Sequence, residues 1–239
     1  MKYILAIIIF AALFAGVTPS FAARPLITDD FFTLTQNVNE IEFGYLATKT
    51  HTSLVHSYDL LLRRGLLTNF ELALEMPYTF SPVSGFNDCF VHLKYRFWDM
   101  GLNEGLTARA DIKFYNGDIN NGLGSGDNDY WLVLIYSKML GKSRAHINLG
   151  YVNVGFNAGR TEAEYLAYTA AVEYPLWGSA GDLVAEYVAN TSLSPNPTFI
   201  QVGARYEIMN SFKLDAGYST GINSNSIKNA LTMGIHWDF

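Results

Sequence analysis

The sequence predicts an all-β protein, a transmembrane antiparallel up-and-down β-barrel of about twelve strands. Three observations point there. Apolar and polar side chains alternate with period two through most of the chain after residue 37, as they do where successive side chains face opposite sides of a strand. The connections between these segments divide into tight turns and long polar loops, the asymmetry of an outer-membrane barrel. The chain opens on an export signal and closes on an amphipathic strand whose last residue is Phe239.

The export signal comes first. Lys2 supplies a positive residue, Ile4 to Val17 form a 14-residue apolar run, and Ser20 and Ala22 are the small residues of a cleavage site. This is the layout of a secretory signal peptide; a membrane-spanning helix would need about 20 apolar residues. Residues 1–22 are therefore expected to be removed. Residues 23–37 would form a periplasmic or plug segment and residues 38–239 the barrel, in the bacterial outer membrane.

Composition narrows the class further. Of 239 residues, 49% are hydrophobic, 15% aromatic and 16% charged, against about 25% charged in ordinary soluble domains. The net charge of −6 argues against a nucleic-acid partner, which needs a clustered basic surface. A single cysteine, Cys89, leaves no intrachain disulfide and no cysteine-rich zinc site.

About twelve alternating segments follow, near residues 38–48, 53–64, 70–78, 88–98, 106–115, 130–139, 145–155, 165–175, 182–190, 198–208, 212–221 and 230–239. Phe70, Leu72 and Leu74 alternate with Glu71, Ala73 and Glu75; Cys89, Val91, Leu93 and Tyr95 with His92, Lys94 and Arg96; Leu106, Ala108 and Ala110 with Thr107, Arg109, Asp111 and Lys113. A helix would put such charges on all its faces. The run Trp131–Tyr136 is apolar on both faces, so its phase is not readable. Lengths of about 9–11 residues suit a tilted membrane crossing, and unpaired backbone groups cannot be left in lipid, so the sheet must close. Tyrosines near strand ends, such as Tyr58, Tyr95, Tyr151 and Tyr206, would supply interfacial girdles. A lipid-facing Arg or Lys near the midplane costs roughly 2–4 kcal/mol, which directs the charged rows inward. Trp237 and Phe239, on the apolar face of the last strand, look like the signal by which the barrel-assembly machinery recognises its clients.

With the barrel argued, several strings carry a resemblance. Arg24-Pro-Leu-Ile-Thr-Asp-Asp30 is the most distinctive. Leu93-Lys-Tyr-Arg-Phe97, Asn121-Gly-Leu-Gly-Ser-Gly-Asp127, Ile147-Asn-Leu-Gly-Tyr151, Leu214-Asp-Ala-Gly-Tyr218 and Thr232-Met-Gly-Ile-His236 follow in order. Together they resemble the transporter-like outer-membrane family named for the meta-pathway of phenol degradation. Phe31-Phe-Thr after the acidic pair and Cys89 depart from that pattern. The resemblance implies passage of small organic solutes, aromatic ones among them, through the outer membrane.

The residues that could carry function line the lumen: Glu71, Glu75, Lys94, Arg96, Arg109, Asp111, Lys113 and Arg205. Opposite charges on neighbouring strands can pair across a sheet. The resulting ladder would be either a constriction with a transverse field that selects solutes or a salt-bridged filling of a narrow barrel. The segment carrying Arg24, Asp29 and Asp30 would either fold into the lumen, its carboxylates meeting Lys94, Arg96 or Arg109, or hang as a loose periplasmic tail. The loop Asn116–Asp129 lacks both the Lys-Ser/Thr of a phosphate loop and a correctly placed calcium-loop glycine. The five histidines (51, 56, 92, 146 and 236) show no metal-ligand spacing, and no nucleophile–base pair is legible, so no catalytic residue, metal or cofactor is expected. Cys89 is expected on the lipid face. The expectation is a passive channel for small organic solutes that contacts outer-membrane lipid; the alternative is a structural or surface-contact barrel with a blocked lumen.

Overall fold

A computed structural model describes residues 24–155 and 164–239. The expected signal peptide at 1–22, and 156–163 of one long loop, lie outside the described residues. Among the described residues thirteen strands follow in order: β1 (Asn39–Lys49), β2 (Leu54–Leu67), β3 (Phe70–Ser81), β4 (Gly85–Phe86), β5 (Phe90–Asp99), β6 (Glu104–Lys113), β7 (Asp129–Leu140), β8 (Ser143–Asn153), β9 (Glu164–Tyr174), β10 (Gly181–Asn190), β11 (Thr198–Met209), β12 (Phe212–Gly221) and β13 (Asn229–Asp238). The two-residue β4 folds back on β3. The other twelve pair antiparallel with their sequence neighbours, and β1 pairs with β13 from Glu40↔Asp238 to Lys49↔Asn229. The sheet therefore closes on itself, as strands in hydrocarbon require, with β3 paired to β5 over Phe70–Glu75 and its outer part to β4.

The alternation sorts the residues as lipid and lumen demand. Leu132, Leu134, Leu149 and Val202 are exposed on the outside, while Glu42, Glu71, Lys94, Asp111, Glu173 and Arg205 are buried inside. This inverts a soluble domain: the greasy face is the open one and the charged face the enclosed one. Strand β7, unreadable from sequence, turns Val133, Ile135 and Ser137 inward and Tyr130, Leu132 and Leu134 outward. Its inner face meets the strap at Phe31, whose side chain is fully buried and whose N–H donates to Ser137 Oγ at 3.0 Å.

Two expectations at the outer end need correction. The strand expected from residue 88 begins at Phe90, and Cys89 lies before it, half-buried, with Asn116 Nδ2 3.3 Å from its sulfur. Phe114 N donates to the Cys89 carbonyl at 2.8 Å while Cys89 N turns to Asn116 Oδ1 at 2.8 Å, and the loop after β6 takes the Asp88 carboxylate. Asp88 accepts from Gly117 N (2.9 Å), Ser125 N (2.7 Å) and Ser125 Oγ (2.8 Å), and Lys113 approaches at 3.5 Å. Burial pushes this carboxyl up, but those donors outweigh it and hold Asp88 below the usual carboxylate range. Its charge therefore pins the loop at neutral pH, and the pinning is lost as pH falls through the ordinary Asp value and below it. Asp88→Asn is expected to leave the barrel folded and speed proteolytic cleavage between residues 114 and 128, as measured by limited proteolysis from the outer face.

Candidate functional site

Register places the lumen charges. Across β3, β5 and β6, Glu71 stands opposite Lys94, and Lys94 opposite Arg109. Like charges directly opposite each other destabilise a sheet, and Lys94 is only 3% exposed. The barrel wall thus places two adjacent cations where water cannot screen them. Asp29 resolves this: its Oδ1 lies 2.8 Å from Lys94 Nζ and its Oδ2 lies 2.8 Å from Arg109 Nη1. Burial raises the Asp29 carboxyl, but Lys94 and Arg109 prevail and hold it well below the ordinary range. Asp30, 3.8 Å from Lys94, is raised, because burial and the neighbouring Asp29 charge exceed what Lys94 returns.

From Arg109 the network runs on through Asp111 (2.9 Å) to His92 (2.8 Å) and Glu75 (2.9 Å). The remaining expected lumen residues lie elsewhere. Arg96 does not reach the acidic pair; it faces Asp99 at 3.4 Å and the Thr68 carbonyl at the tight-turn end. Lys113 belongs to the outer mouth, with Asp88 and Asp129. Arg205 binds Glu173. The Trp237 ring on the last strand and the Phe239 ring just past it lie 4.9 Å apart, tilted by 36°.

Residues 24–37 enter at the tight-turn end and cross the lumen as an extended strap. Wall side chains replace strand partners for its backbone. Asn148 both accepts from Asp29 N (2.7 Å) and donates to Asp29 O (2.9 Å). Glu186 accepts from Ile27 N and Thr28 N at 2.9 Å each, and from Thr28 Oγ1 at 2.7 Å. Ser137 and Thr107 take Phe31 N and O; Glu71 accepts from Leu34 N at 2.8 Å. Arg24 sits over Gly44 and Gly234, where a β-carbon would stand 2.3 and 2.6 Å from its guanidinium. Gly65 admits the strap's return in the same way: a β-carbon there would lie 2.2 Å from the Thr35 carbonyl oxygen. Sequence reasoning missed Asn148, Glu186, Ser137 and Thr107 as anchors. For Asn148, Glu186 and Thr107 the signal is a polar residue at an inward position; Ser137 lies on the strand whose phase is not readable from sequence.

The strap separates two spaces. An outer chamber of about 570 Å³ has Ile27, Leu46, Leu61, Phe199 and Ile227 on its walls beside Asp59, Glu75 and Arg109. An inner chamber of about 520 Å³ is ringed by Arg144, Glu173, Asp182, Arg205, Glu207 and Lys213. Barrel closure also gathers Glu40, His236 and Asp238, with ligand atoms within 4.8 Å of one another. No sequence spacing announces this cluster, because β1 and β13 meet only when the sheet closes. Arg63, 3.0 Å from Glu40 and also bound to Glu42, makes it an ion-pair network, and a divalent cation there would have to displace that guanidinium.

Solved structures share this architecture. An outer membrane channel from Pseudomonas putida F1 superposes with a TM-score of 0.70 at 14% identity, over 88% of this chain and 98% of that one. The fold is that of an outer-membrane β-barrel. The KdgM porin gives 0.62 at 14% identity over 84% and 99% of the two chains. Its complex with disordered oligogalacturonate also gives 0.62, at 12% identity. No family model and no curated protein matches the sequence. The likeness is therefore one of barrel architecture, and the motif strings stand as a resemblance.

Proposed function

We propose that this barrel is a narrow passive channel for small organic solutes, in which residues 24–37 form a lumen strap that sets the constriction. The observation that carries this reading is Asp29 seated between Lys94 and Arg109. The wall places two cations side by side, and a carboxylate from outside the barrel sequence neutralises them. A volume near 570 Å³ lies within the range of small-molecule sites, roughly 300–1,000 Å³. Its mixture of apolar wall and paired charges suits weakly polar or aromatic molecules better than strongly charged ones. An acidic oligosaccharide of the kind that titles the KdgM complex would find Lys94, Arg109, Arg63 and Arg205 already committed to carboxylates.

A second reading, a structural barrel with a blocked lumen, is favoured by how many strap backbone groups the wall holds. Liposome flux separates the two. The channel reading expects purified protein to speed entry of small neutral aromatics over a protein-free control, with little discrimination between small cations and anions. No acceleration for any small solute means a blocked barrel.

A further inference from the structure

The outer chamber carries one carboxylate that the wall leaves without a counter-charge. Register sets Asp59 opposite Gly44 on β1 and Pro77 on β3, neither of which offers a polar side chain. Its diagonal neighbours on those strands, Glu42 and Glu75, are carboxylates themselves, near enough for their charges to act on it. Asp59 lines the chamber, and its Oδ1 is buried with no hydrogen-bond partner among the described residues. The cations around it are engaged elsewhere: Arg63 by Glu40 and Glu42, Lys94 and Arg109 by Asp29, and His92 by Glu75 and Asp111. Arg24, which passes over Gly44, turns to Asp215 at 3.5 Å and donates to Thr232 Oγ1 at 2.7 Å. A carboxylate with neither a cation nor a donor is costly in such a place.

A second observation concerns the wall beside it. Leu46 is the other diagonal neighbour of Asp59 on β1, lines the chamber and is 38% exposed; Ile27 of the strap, on the same chamber, is 57% exposed. Leu61 and Phe199 continue this apolar wall. Lipid cannot cover side chains that face the lumen. Bare hydrocarbon rimmed by polar groups inside a cavity is the lining of a small-molecule site.

We propose that the outer chamber binds small organic ammonium ions, with the ammonium at Asp59 and the hydrocarbon against Leu46, Leu61 and Phe199. An ammonium brings both the charge and the donors that Asp59 lacks. A hydrated alkali ion would make no use of the apolar wall, and a divalent ion would ask for about six oxygens or more. A neutral alcohol would leave the charge standing. The assignment rests on the channel reading for access to the chamber and deepens it, naming among small organic solutes the class that the chamber retains.

The test is calorimetric titration of the purified barrel, strap included, with benzylamine, benzyl alcohol and methylammonium. Benzyl alcohol keeps the ring without the charge, and methylammonium keeps the charge without the ring. Benzylamine is expected to bind about tenfold or more tightly than either, since each control forfeits one half of the match. Asp59→Asn should abolish its advantage over benzyl alcohol, and Leu46→Ser should reduce its advantage over methylammonium; heat-modifiable gel migration confirms that each variant is folded. Equal affinity for benzylamine and benzyl alcohol, or an advantage that survives Asp59→Asn, overturns the site. Liposome flux reports on the channel reading separately. Amine binding without flux keeps the site and removes the channel; flux without preference for the amine in binding does the reverse.

Discussion

Deleting residues 24–36 is expected to raise single-channel conductance about threefold or more, because a conduction path set by its narrowest, charge-lined section widens when that section is removed. The strap crosses from Gly234 and Gly44 at Arg24 to Ser137 and Thr107 at Phe31, and then to Gly65 at Thr35. Nothing else among the described residues spans the lumen this way. The barrel should still assemble, since the β1–β13 closure begins after the strap, at Glu40. The deleted form should also discriminate between small ions. Without the strap, Lys94 still faces Glu71 and Arg109 still binds Asp111, while Glu71 and Glu186 lose the strap N–H groups they held and Asp215 loses Arg24, so cations should gain over anions. Planar-bilayer recordings in symmetric and gradient salt measure both, and unchanged conductance removes the strap from the channel account.

Asp29→Asn carries the second large effect. Removing one partner from a buried ion pair costs about 3–5 kcal/mol, here because Lys94 and Arg109 are left facing each other. The loss falls on the strapped state and shifts the balance toward an open lumen by roughly a hundredfold or more, at about 1.4 kcal/mol per factor of ten. Lys94→Met in the same chain removes the repulsion and should recover part of the closed state. The double change should therefore be much less than the sum of the two, as coupled neighbours require. Frequency of opening in bilayer recordings reads this directly; additive effects would mean that the three groups do not act as a unit.

The same carboxyl predicts an acid response. Its value is depressed in the strapped state, so its stabilisation is complete above the ordinary Asp range and is lost as pH falls through about 4 and below. Asp30 is raised by burial and acts with the opposite sign: protonation relieves it and favours the strapped state in acid. The two partly cancel, so Asp30→Asn should steepen the acid opening that Asp29 drives.

Much of this architecture was legible in the chain. Strand positions agree with the alternation to within a few residues, because the period of a strand is local and each polar residue at the wrong phase would meet lipid. That Glu71, Lys94, Arg109 and Asp111 point inward follows from the same rule. Which of them touch did not follow. Lys94 and Arg109 become neighbours through the β5–β6 register, and Arg96, two residues from Lys94, is carried past the acidic pair to the tight-turn end.

What the sequence by itself determined is the barrel: its strand number, its two faces and the confinement of charge to the inside, all set by the short-range contest between side chain, lipid and water. Tertiary structure decided the phase of β7, the Glu40–His236–Asp238 cluster and the seat of Asp29. Each of these depends on groups far apart in the chain, 65 residues between Asp29 and Lys94 and 119 between Asp29 and Asn148. The strap has no periodicity of its own to read, since its backbone is satisfied by side chains of a wall that exists only once the sheet has closed.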